Sequence, residues 1–547
     1  MTYKMKRLLL LIAILAIFQT ITAGNKDENK LQPKLVVGIV IDQMRYDYLY
    51  RFYDQYSENG FKRLMNEGMN FTYAQYNYIP TFTGPGHACI YTGTTPYYHG
   101  IIANDWYDKK LKKKIYCVKD ANFKTVGAGN ANGQMSPNNL LATTMTDQLR
   151  LSNNGLSRVF AISIKDRAAI LPGGHTANAA YWYDGKSGNF ITSSYYMKEL
   201  PGWVDHFNEQ KLPAILMSKD WQLESDKNYE TSLPDNGPGE GDPFKEGKTT
   251  FPHQFTKLPD TVKRELIRDT PYGNDLLADF LLALLKNEKP GSGKYCDFVA
   301  VSFSSTDYVG HAYGPNSMEI MDTYLKLDKQ IARILDTLDL CVGKGNYLLF
   351  LTADHGVKPN TAYLISHGLN DGYVKIRSIR DQLVEFCKTQ YNAPRIIEAV
   401  QDNEVYLNHA LLDSLKLNQD EVTGELVSFM RNKISSIGLV LPREELLSRI
   451  PERTMNSFIL NGFNIARSGD ISFTLTQNYI SSDYGEEGTS HESAYDYDTH
   501  VPLIFYGWNI RHGESNEEVF VEDIAPTISN LIHIQEPDAT IGVPIVK

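Results

Sequence analysis

The strongest constraint on the fold is an apolar run that stops abruptly at two ionisable side chains, NYLLFLTADHG at residues 346–356. Tyr347–Thr352 shows no polar alternation, the pattern of a strand buried on both faces of a parallel sheet. Such a sheet needs helices on both sides, so the chain is predicted to be α/β. Asp354 and His355 follow at once, where open α/β sheets hold their ligands, just past the carboxyl end of a strand. The same construction recurs. LVVGIVID ends in Asp42, DFVAVSFSSTD ends in Asp307 with His311 four residues on, and RVFAISIKDR ends in Lys165 and Arg167. Four apolar strands therefore aim acids, imidazoles and cations at one edge of a mostly parallel central sheet flanked by helices.

The segments between these strands add further polar groups. Asp42 doubles as a candidate N-cap for a helix over residues 43–53. YIPTFTGPGH, residues 78–87, predicts an irregular turn leading into a buried helix, whose start presents a hydroxyl from Thr81 or Thr83 to an anion. His87 is expected to pack at that helix start. Asn104, in GIIANDWYD, is a turn residue that beside a phosphate site would serve as an amide donor. Lys165 and Arg167 alternate, so on an extended backbone both face one way and match phosphate oxygens. Residues from about 176 to 271 mix aromatics with a Gly/Pro/acid-rich tract and show no buried parallel strand pattern, which predicts an inserted cap with a long loop. A helix over residues 274–286 returns to the sheet. Ser317 then caps a helix with Ile320, Tyr324, Leu327, Ile331, Ile334 and Leu338 on one stripe, completing a βαβ unit between Asp307 and Asp354. Residues 359 to about 467 predict a second insertion. A last strand runs from Val501 to Tyr506, with His491 and His500 both placed before it as candidate ligands. EDIAPTISNLI closes the chain as a helix with Pro526 in its first turn.

Residues 1–23 have a basic start (Lys4, Lys6, Arg7), an apolar core and a short polar end, as in an export signal, and the apolar core is too short to span a bilayer. The remaining 24–547 are expected to form one catalytic domain, exported to a periplasm or the exterior, acting as a monomer without membrane insertion. A net charge of −11 argues against nucleic-acid partners, which need a basic face. The same charge means that an anionic substrate must be held by local cations. The five cysteines have no metal-type pairing, and the apolar surroundings of Cys89 and Cys341 predict buried free thiols.

Carboxylates and imidazoles at strand ends are the donor set of a hydrolytic metal site with an open position. Asp42, Asp307, His311, Asp354, His355 and one of the two later histidines suit two ions, and two ions ~4 Å apart can hold the attacking and leaving oxygens of a phosphoryl transfer. The ordered set Asp42, TGPGH, Asn104, KDR at 165–167, Asp307-x-x-x-His311, Asp354-His355-Gly356 and GTSH at 488–491 resembles the alkaline phosphatase superfamily. Within it the chain most resembles the phosphate-insensitive, PafA-type alkaline phosphatases, over nearly its whole mature length, including STDYVGHAYGPNS and DIAPTIS.

That resemblance implies one zinc on Asp307, His311 and His491 and a second on Asp42, Asp354 and His355, completed by the hydroxyl of Thr83. It selects Thr83 over Thr81 and His491 over His500. It further implies a phosphothreonine intermediate at Thr83, with Asn104, Lys165 and Arg167 holding the non-bridging oxygens of small phosphorylated substrates. Two zinc ions, three aspartates and a Thr83 alkoxide sum to zero charge, so a monoester dianion needs Lys165 and Arg167 more than a diester does. The alternatives are a phosphodiesterase or nucleotide pyrophosphatase on the same fold, and a catalytically silent binder of phosphorylated glycans. A sulfatase is excluded, because Thr83-Gly-Pro-Gly lacks the Cys or Ser followed by Pro and Arg that such enzymes modify.

Overall fold

The computed structural model describes residues 32–546 apart from 225, 449–453, 478 and 482–485. The export segment at 1–23 lies outside the described residues. Among them, ten strands form the main sheet: β1 (Leu35–Ile41), β2 (Met69–Gln75), β3 (Thr125–Val126), β4 (Val159–Ser163), β5 (Ala179–Asp184), β6 (Asn189–Ser193), β7 (Asp297–Phe303), β8 (Tyr347–Thr352), β9 (His500–Gly507) and β10 (Gly513–Phe520). Their order across the sheet is β10-β2-β9-β8-β1-β7-β4-β5-β6-β3. The five central strands, β8 to β5, run parallel. Outside them β9 and β6 turn antiparallel. Every residue of β1, β4, β7 and β8 is buried, which is why these strands read as unbroken apolar runs. Because the four are parallel, their carboxyl ends share one edge, and Asp42, Lys165, Asp307 and Asp354 are delivered together.

Four helices serve that edge: α1 (Thr83–Thr92), α2 (Asp166–Gly173), α3 (Ser305–Tyr313) and α4 (Met318–Leu338). Helix α4 is capped as expected, Ser317 Oγ accepting from the Ile320 amide at 3.2 Å. The closing helix, Ile524–Leu531, carries Pro526 in its first turn.

Local departures from expectation have physical causes. TGPGH is not an irregular turn, since α1 starts at Thr83 with Pro85 inside its first turn, where a missing N–H costs nothing. Gly86 is required there, because a Cβ would stand 2.3 Å from the Asp354 carbonyl oxygen. Asp42 caps no helix. Gln43 takes a left-handed φ of 65° and breaks the chain, so helix begins only at Tyr48–Arg51. Lys165 and Arg167 do not sit on an extended strand, for Lys165 precedes α2 and Arg167 lies in its first turn. The stretch from residue 176 does contain a buried parallel strand, β5, followed by β6. Its aromatics face inward, Phe190 stacking on Phe280 with centroids 3.9 Å apart, so the aromatic run that suggested a cap is sheet core. All five cysteines are unpaired, but Cys341 is exposed, because it lies beyond Leu338, where the buried stripe of α4 ends.

The second insertion has its own architecture and runs past the expected limit near residue 467, since Ile471–Leu475 belongs to its sheet and Tyr479–Ser481 pairs with Gly372–Val374. Strands Ile397–Gln401, Glu404–Leu407, Ile471–Leu475 and Ile437–Pro442 form a separate sheet in that order. Helices Ile376–Tyr391 and Gln419–Lys433 cover it with a core of their own, including Ile379, Leu383, Leu426 and Met430.

One buried acid, two residues past the end of β10, predicts a pH dependence. Burial, with Asp523 adding to it, pushes the Glu522 carboxyl up to about 8. The folded chain therefore keeps a proton that the unfolded chain releases near the ordinary glutamate value, and the stability from this group is lost as pH rises toward about 8. Glu522→Gln is expected to raise the Tm by a few degrees at pH 9 and to change it little at pH 4.5. Identical Tm losses between those pH values in both proteins would refute this.

Candidate functional site

Thr83 is the first residue of α1 and is buried. Its Oγ1 accepts hydrogen bonds from Lys165 Nζ at 3.4 Å and from an Arg167 guanidinium nitrogen at 3.3 Å. Thr81 is directed elsewhere, its hydroxyl bonded to the Ser493 carbonyl at 3.2 Å. Asn104 Oδ1 accepts from the Gly84 amide at 2.8 Å, which turns its NH2 into the group left for a ligand. Thr83, Asn104, Lys165 and Arg167 line a cleft of about 520 Å³ together with Phe82, Tyr308 and His491. Gly241 and Asp242 of the first insertion and Tyr373 and Ile480 of the second also wall it.

Beneath Thr83 lie two groups of buried side chains whose ligand atoms fall within 4.8 Å of one another: Asp42, Asp354 and His355, and Asp307, His355 and His491. The first is the set the sequence suggested. In the second, His355 takes the place expected of His311. His311 stands beside that group, its Nε2 3.1 Å from Asp307 Oδ1, while the rings of His355 and His491 stack with centroids 3.5 Å apart. His500 is at the same edge but outside both groups, its Nε2 at 2.8 Å from the Thr72 carbonyl and its ring stacked on Tyr46.

The hydrogen bonds of the imidazoles show what the groups can hold. Nδ1 of His311, His355 and His491 faces the carbonyl of Thr489, Gly356 and Thr81 at 2.8, 3.0 and 2.5 Å respectively. A carbonyl only accepts, so Nδ1 donates in each case, and in a neutral ring Nε2 presents a lone pair. Those lone pairs point at carboxylates, His355 Nε2 lying 3.5 Å from Asp42 Oδ1 and His491 Nε2 3.8 Å from Asp307 Oδ1. His355 Nε2, Asp354 Oδ2 and Asp42 Oδ1 are buried with no hydrogen-bond partner among the described residues. Acceptors facing acceptors in a dry site repel unless a cation lies between them. Carboxylates plus backbone-fixed imidazoles therefore fit divalent metal ions.

Electrostatics agree. Burial, then Asp307 and Asp354, holds the Asp42 carboxyl well above the usual range, and burial brings Asp354 up to about 6. Burial works to raise Asp307 as well, but His311 and Lys165 overcome it and hold its carboxyl well down. Lys165 Nζ bridges Asp307 Oδ2 at 2.5 Å and Asp42 Oδ2 at 2.8 Å. Burial would lower its pKa, yet the two acids outweigh burial and raise it. His355 is brought to about 4 by burial and stays neutral. His87 falls to about 3 for the same reason and packs between the Thr83 carbonyl and Ser302 Oγ, both at 2.8 Å.

Three neighbours went unread in the sequence. Tyr116 Oη accepts from Arg167 at 3.0 Å and donates to Asp166, orienting the guanidinium. The ring of Tyr308 lies 5.1 Å from both Lys165 Nζ and the Arg268 guanidinium. Gln43 donates to Asp307. Tyr308 and Gln43 each directly follow a strand-end acid, a signal that was present, whereas nothing around Tyr116 in KKIYC marks it.

A mostly parallel sheet with this edge defines a member of the alkaline phosphatase superfamily. The family model described as type I phosphodiesterase / nucleotide pyrophosphatase matches residues 36–489. The chain is 42% identical over 518 residues to alkaline phosphatase PafA of Elizabethkingia meningoseptica, covering 94% of each, and 42% identical over 559 residues to alkaline phosphatase PhoV of Synechococcus elongatus, covering 98% of each. The crystal structure of wild-type PafA superposes with a TM-score of 0.90 over 94% of this chain and 98% of that one, at 42% identity. The chain thus belongs to the PafA-type alkaline phosphatases.

Proposed function

We propose that the chain is an exported phosphomonoesterase that uses two zinc ions and a phosphothreonine at Thr83 to hydrolyse a broad range of small phosphate monoesters. The observation that carries this reading is the convergence of Lys165 and Arg167 on Thr83 Oγ1, at 3.4 and 3.3 Å, above two buried carboxylate–imidazole groups. Asp42, Asp354 and His355, with Thr83, would hold one ion, and Asp307, His311 and His491 the other. Bound there, the ions supply Lewis acidity, which eases deprotonation of the hydroxyl and of water and offsets charge on the departing oxygen.

The side chains account for the rest. Thr83 Oγ1 attacks phosphorus in line as the ester P–O bond breaks and the alcohol leaves, taking up a proton. Water then attacks phosphorus, restoring the Thr83 hydroxyl and releasing inorganic phosphate. Arg167, fixed by Tyr116, the Lys165 ammonium and the Asn104 NH2 would hold the non-bridging oxygens, and such donors are typically worth ~10²–10³ in rate each. The stretch between β6 and about residue 271 and the second insertion, from about residue 359 to past Ile480, would supply cleft walls to a single catalytic domain.

The matched family description favours one second reading, a phosphodiesterase. The two readings separate by charge. Two buried cations at Thr83 suit a dianion, so the wild type is expected to prefer p-nitrophenyl phosphate over bis-p-nitrophenyl phosphate. Lys165→Ala and Arg167→Ala should each lower monoester turnover by ~10²-fold or more and diester turnover far less. Diester preference that neither variant changes would move the assignment to the phosphodiesterase reading.

A further inference from the structure

Gln43 is the residue in which the two ligand groups meet. It follows Asp42 directly and is buried, with a left-handed φ of 65° that a side chain other than glycine seldom adopts. That backbone lets one residue reach both groups. Its amide donates to Asp354 Oδ1 at 3.1 Å, and its side-chain Nε2 donates to Asp307 Oδ1 at 2.8 Å. Asp354 belongs to one group and Asp307 to the other.

The carboxamide has a single workable orientation. Turned over, its oxygen would face the Asp307 carboxylate, acceptor against acceptor. As placed, Oε1 has no hydrogen-bond partner among the described residues and lies against Gly310, where a Cβ would come within 1.9 Å of it. Gly310 lies in the middle of α3 between Asp307 and His311, and its φ is not among the left-handed ones. Nothing in the helix itself therefore calls for glycine at this position. The space it leaves is filled by the Gln43 head group.

We propose that Gln43 is a positioning residue that locks the separation of the two metal groups, and that Gly310 is kept small to admit it. The proposal rests on the two-metal reading above. By fixing Asp307 Oδ1 from the side, Gln43 restricts which way that carboxylate turns, while its backbone amide does the same for Asp354. Such supporting hydrogen bonds typically govern metal affinity by 10–100-fold.

Two variants test this from opposite sides. Gln43→Met keeps length and bulk but removes the donor to Asp307, leaving the amide bond to Asp354 in place. Gly310→Ala leaves Gln43 intact but puts a methyl where its carboxamide sits, with a residue that favours helix. Both proteins would be loaded with zinc and titrated with a chelator, following metal retained per chain and the Tm of the metal-stripped form. The wild type should release two ions. In both variants one of them should be lost at ~10–100-fold lower chelator, with the stripped Tm within a few degrees of wild type and the other ion unchanged. Retention of both ions at wild-type strength in the two variants would overturn the proposal, as would equal weakening of both ions. A wild type that binds fewer than two ions would instead refute the two-metal reading on which the proposal stands.

Discussion

Thr83→Ala is expected to lower monoester turnover by on the order of 10³–10⁶-fold, the range seen when a nucleophile is removed from a site whose other parts remain. The loss should come with an unchanged fold, because Thr83 Oγ1 is hydrogen-bonded to Lys165 and Arg167 and, among the described residues, to no main-chain group. Thr83→Ser keeps an oxygen at the same place and should retain measurable turnover. Acid quenching of the wild type during turnover should trap phosphate on the peptide that contains Thr83, and mass spectrometry would locate it. A Thr83→Ala protein working within tenfold of wild type, or phosphate trapped on another residue, would rule out the covalent route.

The second large effect is expected from metal removal. Asp42, Asp307 and Asp354 are all buried at one edge with Lys165 as the cation among them. Chelation should abolish turnover, and zinc should restore it. It should also lower the Tm, since an ion present at about a thousand times its Kd stabilises the folded chain by about 4 kcal/mol. The two readouts should recover together as zinc is added back. Full turnover and an unshifted Tm in metal-free protein would sink the metal reading, fold and family notwithstanding.

Most of this edge could be read from the chain because buried parallel strands are monotonous. Against LVVGIVI or YLLFLT a charged residue is conspicuous, and parallel pairing leaves only one place for it to go. For that reason Asp42, Lys165, Arg167, Asp307, Asp354 and His355 stood out, and the structure brings them together. Residues whose position depends on contacts between distant segments were hidden. Tyr116 reaches Arg167 from a short hairpin, Asp105–Asp108 with Lys113–Tyr116, and no local pattern announces that encounter. The turn at Gln43 misled in the other direction, since a polar residue after a strand reads as a helix start until its positive φ is seen. Aromatics in AAYWYD suggested a surface cap because β-strand and cap compositions overlap. Only the packing of Tyr181 and the following Phe190 on Phe280 separates the two.

The hairpin that carries Tyr116 and follows Asn104 is held by the second insertion at several points. The Arg467 guanidinium lies 4.9 Å from the Trp106 ring centroid and Tyr107 packs on Tyr406, while Lys109 donates to the Ser468 carbonyl and Lys112 pairs with Glu398. The small second sheet, with its separate core, is thus spliced to the part of the chain proposed to hold phosphate. Anyone trimming this protein to a minimal catalyst would find no dispensable module there, and grafting the insertion from another relative would amount to re-aiming the donors as well as reshaping the cleft.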